Sequence, residues 1–300
     1  MSTQTDAVPG SGVIHNIGYR RYDGPRLERF DLIAAMYSQT LRGSYGIGRG
    51  IAAKLFPWFL VFCTMLPAFI IVAIQTQIAG IEEPVADFTS YTMYVQVVPI
   101  LFLAVQAPQA VSRDMRFGTL PLYFSRPLSY ADYVLAKFAA SWTALFALLA
   151  APLLMLYVGA LLVDLPFGQT SFDLLKSLVG AALLAALMTG VGLVIASVTP
   201  RRGLGVAAII AVMMGSYLTT TTIQSALTAF ESGQAAAWAG MLSPLTLYDG
   251  TQSFLFQVAT NTPAAQPDVA PGLALTAALA GFTALCYWLL VLRYRKVSSR

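Results

Sequence analysis

Six runs of about twenty mostly apolar residues recur along this chain, and that is the length a helix needs to cross the hydrocarbon layer of a bilayer. They lie at approximately 55–78, 91–111, 139–163, 174–198, 204–226 and 272–292. Within lipid every backbone amide must be bonded inside its own segment, so the expected fold class is an all-α integral membrane protein with six transmembrane helices. Composition agrees: hydrophobic residues make up 57% of the 300 and charged residues 11%, outside the range of soluble domains. Pro67, Pro99, Pro108 and Pro152 fall inside the runs and are expected to kink their helices.

The charges give these runs a direction. Of the eighteen Lys and Arg residues, all but Lys176 fall in four groups: Arg20 to Lys54, Arg113 to Lys137, Arg201 with Arg202, and Arg293 to Arg300. The alternate stretches are acidic, with Glu82, Glu83 and Asp87 in one, Asp164 and Asp173 in the next, and Glu231, Asp249 and Asp268 in the third. By the positive-inside rule the basic groups, and with them both termini, are expected in the cytoplasm. The pI near 9.1 then reflects cations placed beside headgroups, and no nucleic-acid partner is expected.

This reading divides the chain into a cytoplasmic segment over 1–54, a six-span domain over 55–292 and a cytoplasmic tail over 293–300. Between spans lie a cytoplasmic region at 112–132 and an external segment at 227–271, in which Phe254, Leu255, Phe256 and Val258 suggest a short helix or re-entrant piece. The first run is expected to stay in the mature protein, because about fifty polar and basic residues precede it. Cys63 and Cys286 are expected to pack and not to pair, since a reducing compartment and lipid both disfavour a bridge.

Ahead of the first run, Asp23-Gly24-Pro25 is a helix start and Gly43 a stop. Between them Leu27, Phe30, Ile33, Ala34, Tyr37 and Leu41 share one stripe, predicting an amphipathic helix over about 26–42 that lies at the cytoplasmic interface. Packing of that stripe on a soluble partner stays open.

Several chemistries are excluded. A phosphate-binding P-loop has Gly immediately before its Lys, whereas Lys54, Lys137, Lys176 and Lys296 follow Ala53, Ala136, Leu175 and Arg295. The chain is therefore not expected to be its own P-loop ATPase. His15 is the single histidine, which leaves no Ser-His or Cys-His pair and no zinc cluster, so neither a catalytic residue nor a bound metal or cofactor is expected. Ion-coupled carriers keep ionisable groups within the membrane, and none lies near a span centre here; Lys176 and Asp173 sit at an outer end, where snorkelling accounts for them. The spans do carry neutral polar groups. Gln96, Gln106, Gln109, Tyr217, Thr219 and Thr222 are candidates for a substrate path, with helix–helix hydrogen bonding as the alternative.

The densest constellation runs from Ser112 to Ser129 (SRDMRFGTLPLYFSRPLS), directly after the second run. Arg113, Asp114 and Arg116 suit ion pairs with a soluble protein, Leu120, Leu122, Tyr123 and Phe124 suit an apolar groove on it, and Ser129 with Asp132 can cap the next helix. A basic loop lying on headgroups is the other reading.

A charged turn at Arg113 to Arg116, then Gly118-Thr119, the apolar Leu120 to Phe124, Arg126-Pro127 and finally Lys137 resembles the permease subunits of the ABC-2 family of ATP-binding-cassette exporters. The layout is similar too, with an amphipathic helix before six spans and a longer external segment before the last. Asp114 stands where that family often has Glu. The resemblance implies a type V exporter-like architecture in a prokaryotic cytoplasmic membrane, contacting its lipids. It also implies a separate ATPase subunit that binds ATP and Mg, and a second permease copy or a paralogous permease. Coupling to that ATPase would fall to Arg113, Asp114, Arg116, Gly118, Thr119, Leu120, Leu122, Arg126 and Pro127. A non-transporting scaffold or regulatory subunit with a permease-like fold, and a secondary transporter, are the alternatives.

Overall fold

The computed structural model describes residues 28–77, 84, 86–118, 123, 128–199 and 201–298, without the side chains at 113, 116, 297 and 298. Among them are eleven α-helices, one 3-10 turn at Gly240–Leu242 and no strand. In chain order the helices are α1 (Arg29–Ser44), α2 (Ile51–Gln75), α3 (Phe88–Tyr94), α4 (Val97–Ala110), α5 (Ser112–Arg116), α6 (Tyr130–Leu162), α7 (Phe167–Val198), α8 (Arg202–Ala229), α9 (Gly233–Ala239), α10 (Pro244–Phe256) and α11 (Val269–Ser298). Five of them, α2, α6, α7, α8 and α11, are long and apolar enough to cross a membrane, and α3 with α4 makes a sixth crossing if the pair is counted as one. This is the architecture of a helical multi-pass membrane protein.

The helices form a centre and a shell. In their most apolar stretches α6 and α7 are 50% and 61% buried, against 22%, 17% and 22% for α2, α8 and α11. Exposed Phe59, Phe69, Leu218 and Trp288 cover the shell helices, the outward face that lipid tails would contact. Small residues let the centre close up. Gly180 of α7 is one such place, where an added Cβ would stand 2.9 Å from the Tyr248 hydroxyl of α10.

The second apolar run differs from the single helix expected over 91–111. It is split into α3 and α4, bent by 59° across Val95 and Gln96. Pro99 is the physical reason: it lacks the N–H that would bond to the carbonyl of Val95, and its ring crowds that same carbonyl. The helix therefore stops and restarts, with Val98 N–H turning back to Val95 O at 2.9 Å. Pro67, Pro108 and Pro152 lie inside α2, α4 and α6 without ending them.

Helix α1 keeps part of the expected stripe, Ile33, Tyr37 and Leu41, against the bundle. Its start signal at residues 23–25 and Leu27 lie outside the described residues, and Gly43 does not stop it, since the helix runs on to Ser44. The buried line is Met36, Thr40 and Ser44, flanked by the half-buried Leu32, Ile33 and Leu41, whereas Phe30 is 80% exposed and Ala34 is exposed as well. Hydrogen bonds to α6 choose that face: Tyr37 donates to Thr143 Oγ1 at 3.0 Å and Tyr45 to Ala144 O at 2.7 Å. An apolar stripe does not by itself say whether a helix leans on lipid or on protein.

In the segment at 227–271 the short helix is α10, buried over Pro244 to Ser253 and exposed at Leu255 near its end. It meets α3 where the hydroxyls of Thr92 and Tyr248 lie 3.2 Å apart, and the Tyr91 hydroxyl donates to Thr64 O of α2. The two short helices thus close one end of the bundle.

Candidate functional site

The charged turn is built onto α6. That helix has 33 residues and a length of about 50 Å, longer than the ~30 Å hydrocarbon layer, so its first turns have room to stand clear of the tails. Ser129 and Asp132 start it as a capping box, with Asp132 N–H donating to Ser129 Oγ at 3.2 Å and Ser129 N–H to Asp132 Oδ2 at 2.9 Å. Asp132 also receives Arg29 of α1 through two hydrogen bonds, which raise the Arg29 pKa above its ordinary value.

Five residues further along, Lys137 ties the helix to α5. Its Nζ lies 3.0 Å from Asp114 Oδ2, with the two side chains only 11% and 14% exposed. The Tyr133 hydroxyl donates to the same oxygen at 2.8 Å, and the Tyr133 ring packs on Tyr294 of α11 with centroids 4.9 Å apart. Ser112, at the start of α5, donates to Ala196 O near the end of α7 at 2.6 Å. The five-residue helix is thereby fastened to α6 and α7. Just beyond it Gly118 takes φ +60°, a conformation that a side chain disfavours.

Beside this junction lies a cavity of about 430 Å³ lined by α1, α4 and the first turns of α6. Arg49 stands at its rim and donates to Gln109 Oε1 at 3.0 Å. Tyr45 covers the neighbouring α1–α6 contact, and burial pushes its hydroxyl pKa up to about 12.

A second polar cluster organises the segment at 227–271 around Asp249, which is fully buried. Its two oxygens accept from the backbone N–H groups of Asn261 and Thr262, from Asn261 Nδ2 and Thr262 Oγ1, and from Gln252 Nε2, all at 2.9–3.2 Å. Burial pushes this carboxyl up from its usual range, and the donors from Asn261, Thr262 and Gln252 pull it back. The cluster staples the chain after α10 back onto that helix.

Of the residues singled out from sequence, Asp114 and Gly118 sit at the junction and Arg113 and Arg116 belong to α5. Thr119, Leu120, Leu122, Arg126 and Pro127 lie outside the described residues. Gln106 and Gln109 come together on the cavity wall. Gln96 is apart from them at the α3–α4 break, and Tyr217 is half buried in α8. Thr219 and Thr222 are exposed on α8, Thr222 bonding back to Leu218 O at 2.8 Å. Within the single chain, Gln106 and Gln109 are the two of these six that line the same cavity. Lys176 and Asp173 pair at 2.9 Å, three positions apart, and no group of metal-ligating side chains occurs among the described residues.

Sequence reasoning missed Arg29, Tyr133 and Arg49 as parts of this site. Arg29 and Arg49 carried only an orientation signal, and nothing in the pattern of α6 sets Tyr133 apart from a packing tyrosine. No family model matches the chain, and no curated protein matches it in sequence.

Proposed function

We propose that this chain is the membrane-spanning subunit of an ATP-driven exporter of the ABC-2 type, working with a separate ATP-binding-cassette subunit and with a second copy or a paralogous permease. The four basic groups support this reading, since by the positive-inside rule they favour a cytoplasmic α5 turn, α7–α8 connection and termini, where such an ATPase would dock.

The observation that carries this reading is the buried Asp114–Lys137 pair. A force applied to α5 is delivered through it to α6, and through the chain itself to α4. Helix α4 is jointed to α3 at Gln96, and α3 is held by Tyr91 and Thr92, so the bend is where displacement of α4 would be taken up. ATP and Mg belong to the partner in this scheme, and the chain supplies motion and the path.

Gly118→Pro tests the coupling, because proline fixes φ near −65° where Gly118 has +60°, and no span is altered. The variant is expected to reach the membrane at normal abundance and to lose either association with the ATPase or substrate-stimulated ATP hydrolysis. Unchanged association and undiminished transport by a folded Gly118→Pro protein would remove the coupling role from this turn. Affinity purification of the native chain without any ATP-binding subunit would remove the exporter reading altogether.

A further inference from the structure

The cavity beside the junction has the makings of a ligand site. At about 430 Å³ it falls within the range of small-molecule sites, and it is walled by polar groups from three separate stretches of chain. Among the described residues the charged side chains that line it are Arg49 and Lys137, both cations, and Asp114, an anion, one net positive charge. Asp114 and Lys137 face each other at 3.0 Å, and Arg49 is the described cation of the wall that stands outside this pair.

Arg49 is held in place for such a role. Gln109 accepts from its Nη1 at 3.0 Å and is itself fixed by donating Nε2 to Val105 O at 3.2 Å. Gly43 leaves the guanidinium room, because a Cβ there would stand 3.2 Å from Arg49 Nη2. A guanidinium has five N–H donors, so most of the fork is not used by Gln109.

The inner wall offers the opposite chemistry. Thr40 donates its hydroxyl proton to Met36 O at 2.8 Å and Ser44 its own to Thr40 O at 3.1 Å, so both oxygens have only lone pairs left to present. Gln106 is 7% exposed and its Oε1 has no hydrogen-bond partner among the described residues. A buried amide left so points to a missing donor. A cation fork at the rim and acceptors behind it call for an anion that also carries hydroxyl groups.

We propose that this cavity binds a phosphate bearing neighbouring hydroxyls, of the phosphoglycerol class, with the phosphate on Arg49 and the hydroxyls on Thr40, Ser44 and Gln106. The same chemistry comes from two sources, the headgroup of a phosphatidylglycerol or soluble glycerol phosphate. The proposal is independent of the exporter reading, since it requires no ATPase.

The test uses the full-length protein in phosphatidylcholine nanodiscs, alone and with phosphatidylglycerol included. Glycerol 3-phosphate and inorganic phosphate are titrated calorimetrically, and bound lipid is counted by native mass spectrometry. Binding of glycerol 3-phosphate assigns the soluble source; retention of phosphatidylglycerol without it assigns the lipid. In whichever arm binds, Arg49→Gln is expected to weaken affinity roughly tenfold, as loss of a charge-assisted contact does. Ser44→Ala, which removes one hydroxyl from the wall, is expected to reduce the preference for glycerol phosphate over inorganic phosphate, or for phosphatidylglycerol over phosphatidic acid. Wild-type protein that binds neither probe, binding equal in Arg49→Gln, or inorganic phosphate bound as well as glycerol phosphate would each overturn the proposal.

Discussion

Arg29 clasps Asp132 with two parallel hydrogen bonds, Nε to Oδ2 at 2.9 Å and Nη2 to Oδ1 at 2.7 Å, across 103 positions of chain. The two ends of this pair are unequal. The Arg29 side chain is 59% exposed, so water already competes for it, whereas Asp132 is nearly enclosed and also starts α6. Arg29→Gln is therefore expected to change thermal stability little in detergent. Asp132→Ala is expected to lower it by about 1 kcal/mol or more through loss of the cap. A larger loss for Arg29→Gln than for Asp132→Ala in a melting series would contradict this ranking.

Lys137 and Asp114 present the opposite case, with both side chains largely enclosed. Breaking such a pair strands a charge and costs about 3–5 kcal/mol, while replacing both with apolar groups is often close to neutral. Lys137→Met and Asp114→Leu are each expected to melt well below the wild type, and the double variant above either single one. A double-mutant cycle by thermal unfolding measures the coupling, and additivity of the two losses would show that the pair is not the junction described.

For α1 the expectation concerns two apolar residues six positions apart. Phe30→Asp changes a side chain that is 80% exposed and should leave protein abundance in membranes unchanged, whereas Met36→Asp places a carboxylate in a buried line and should abolish accumulation. Immunoblots of membrane fractions decide it, and equal loss for both would show that the stripe through Phe30 is the buried one.

Two glycines of α11 give a matched comparison. A Cβ at Gly272 would stand 2.1 Å from Phe254 Cδ2 and 2.3 Å from its Cγ, too close for the ring simply to swing aside, while Gly281 has nothing within 4 Å. Gly272→Ala is expected to destabilise by about 1–3 kcal/mol through overpacking. Gly281→Ala should stabilise by roughly 0.5–1 kcal/mol, because alanine is the better helix former. The order of the two melting temperatures is the measurement, and its reversal would mean that α10 and α11 do not pack as described.

At Asp249 the expected failure is one of polarity, since the donors around it have no use for another donor. Asp249→Asn turns an N–H₂ toward groups that already donate, and each donor left without an acceptor costs about 1–3 kcal/mol. The stretch after α10 that Asn261 and Thr262 hold in place should then be cut faster by protease. Unchanged cleavage kinetics in the variant would show that Asp249 does not hold it.

Much of this architecture is legible along the chain because length and polarity alone decide it. Runs of about twenty apolar residues mark the long helices, and Ser129 with Asp132 marks the start of α6 before any fold is considered. The break at Gln96 was less legible, since Pro99, Pro108 and Pro152 look alike in sequence and only Pro99 coincides with a break. The face of α1 was legible only in part: Ile33, Tyr37 and Leu41 turn inward as their stripe suggests, but Thr40 and Ser44 spend their hydroxyls on helix carbonyls and so bury at little expense while reading as polar. The cavity was least so. It is assembled from α1, α4 and α6, and no local spacing announces that Ser44, Gln106 and Lys137 face one volume.

The jointed second crossing has a consequence for how the protein is made. Helix α4 has 14 residues and spans about 21 Å, short of the hydrocarbon layer, while α3 (FTSYTMY) is rich in hydroxyl groups and buried from Phe88 to Met93 by its neighbours. A nascent chain leaving the ribosome thus presents, at this point, a segment whose apolar part is too short to span alone and whose hydroxyl-rich part needs protein neighbours. It is expected to wait in the translocation channel until α6 and α7 arrive to surround it, so that the second crossing is completed only after the third and fourth have been synthesised. Nascent chains truncated just after residue 110 and carrying a reporter there should remain extractable from membranes, whereas chains extended past residue 198 should not.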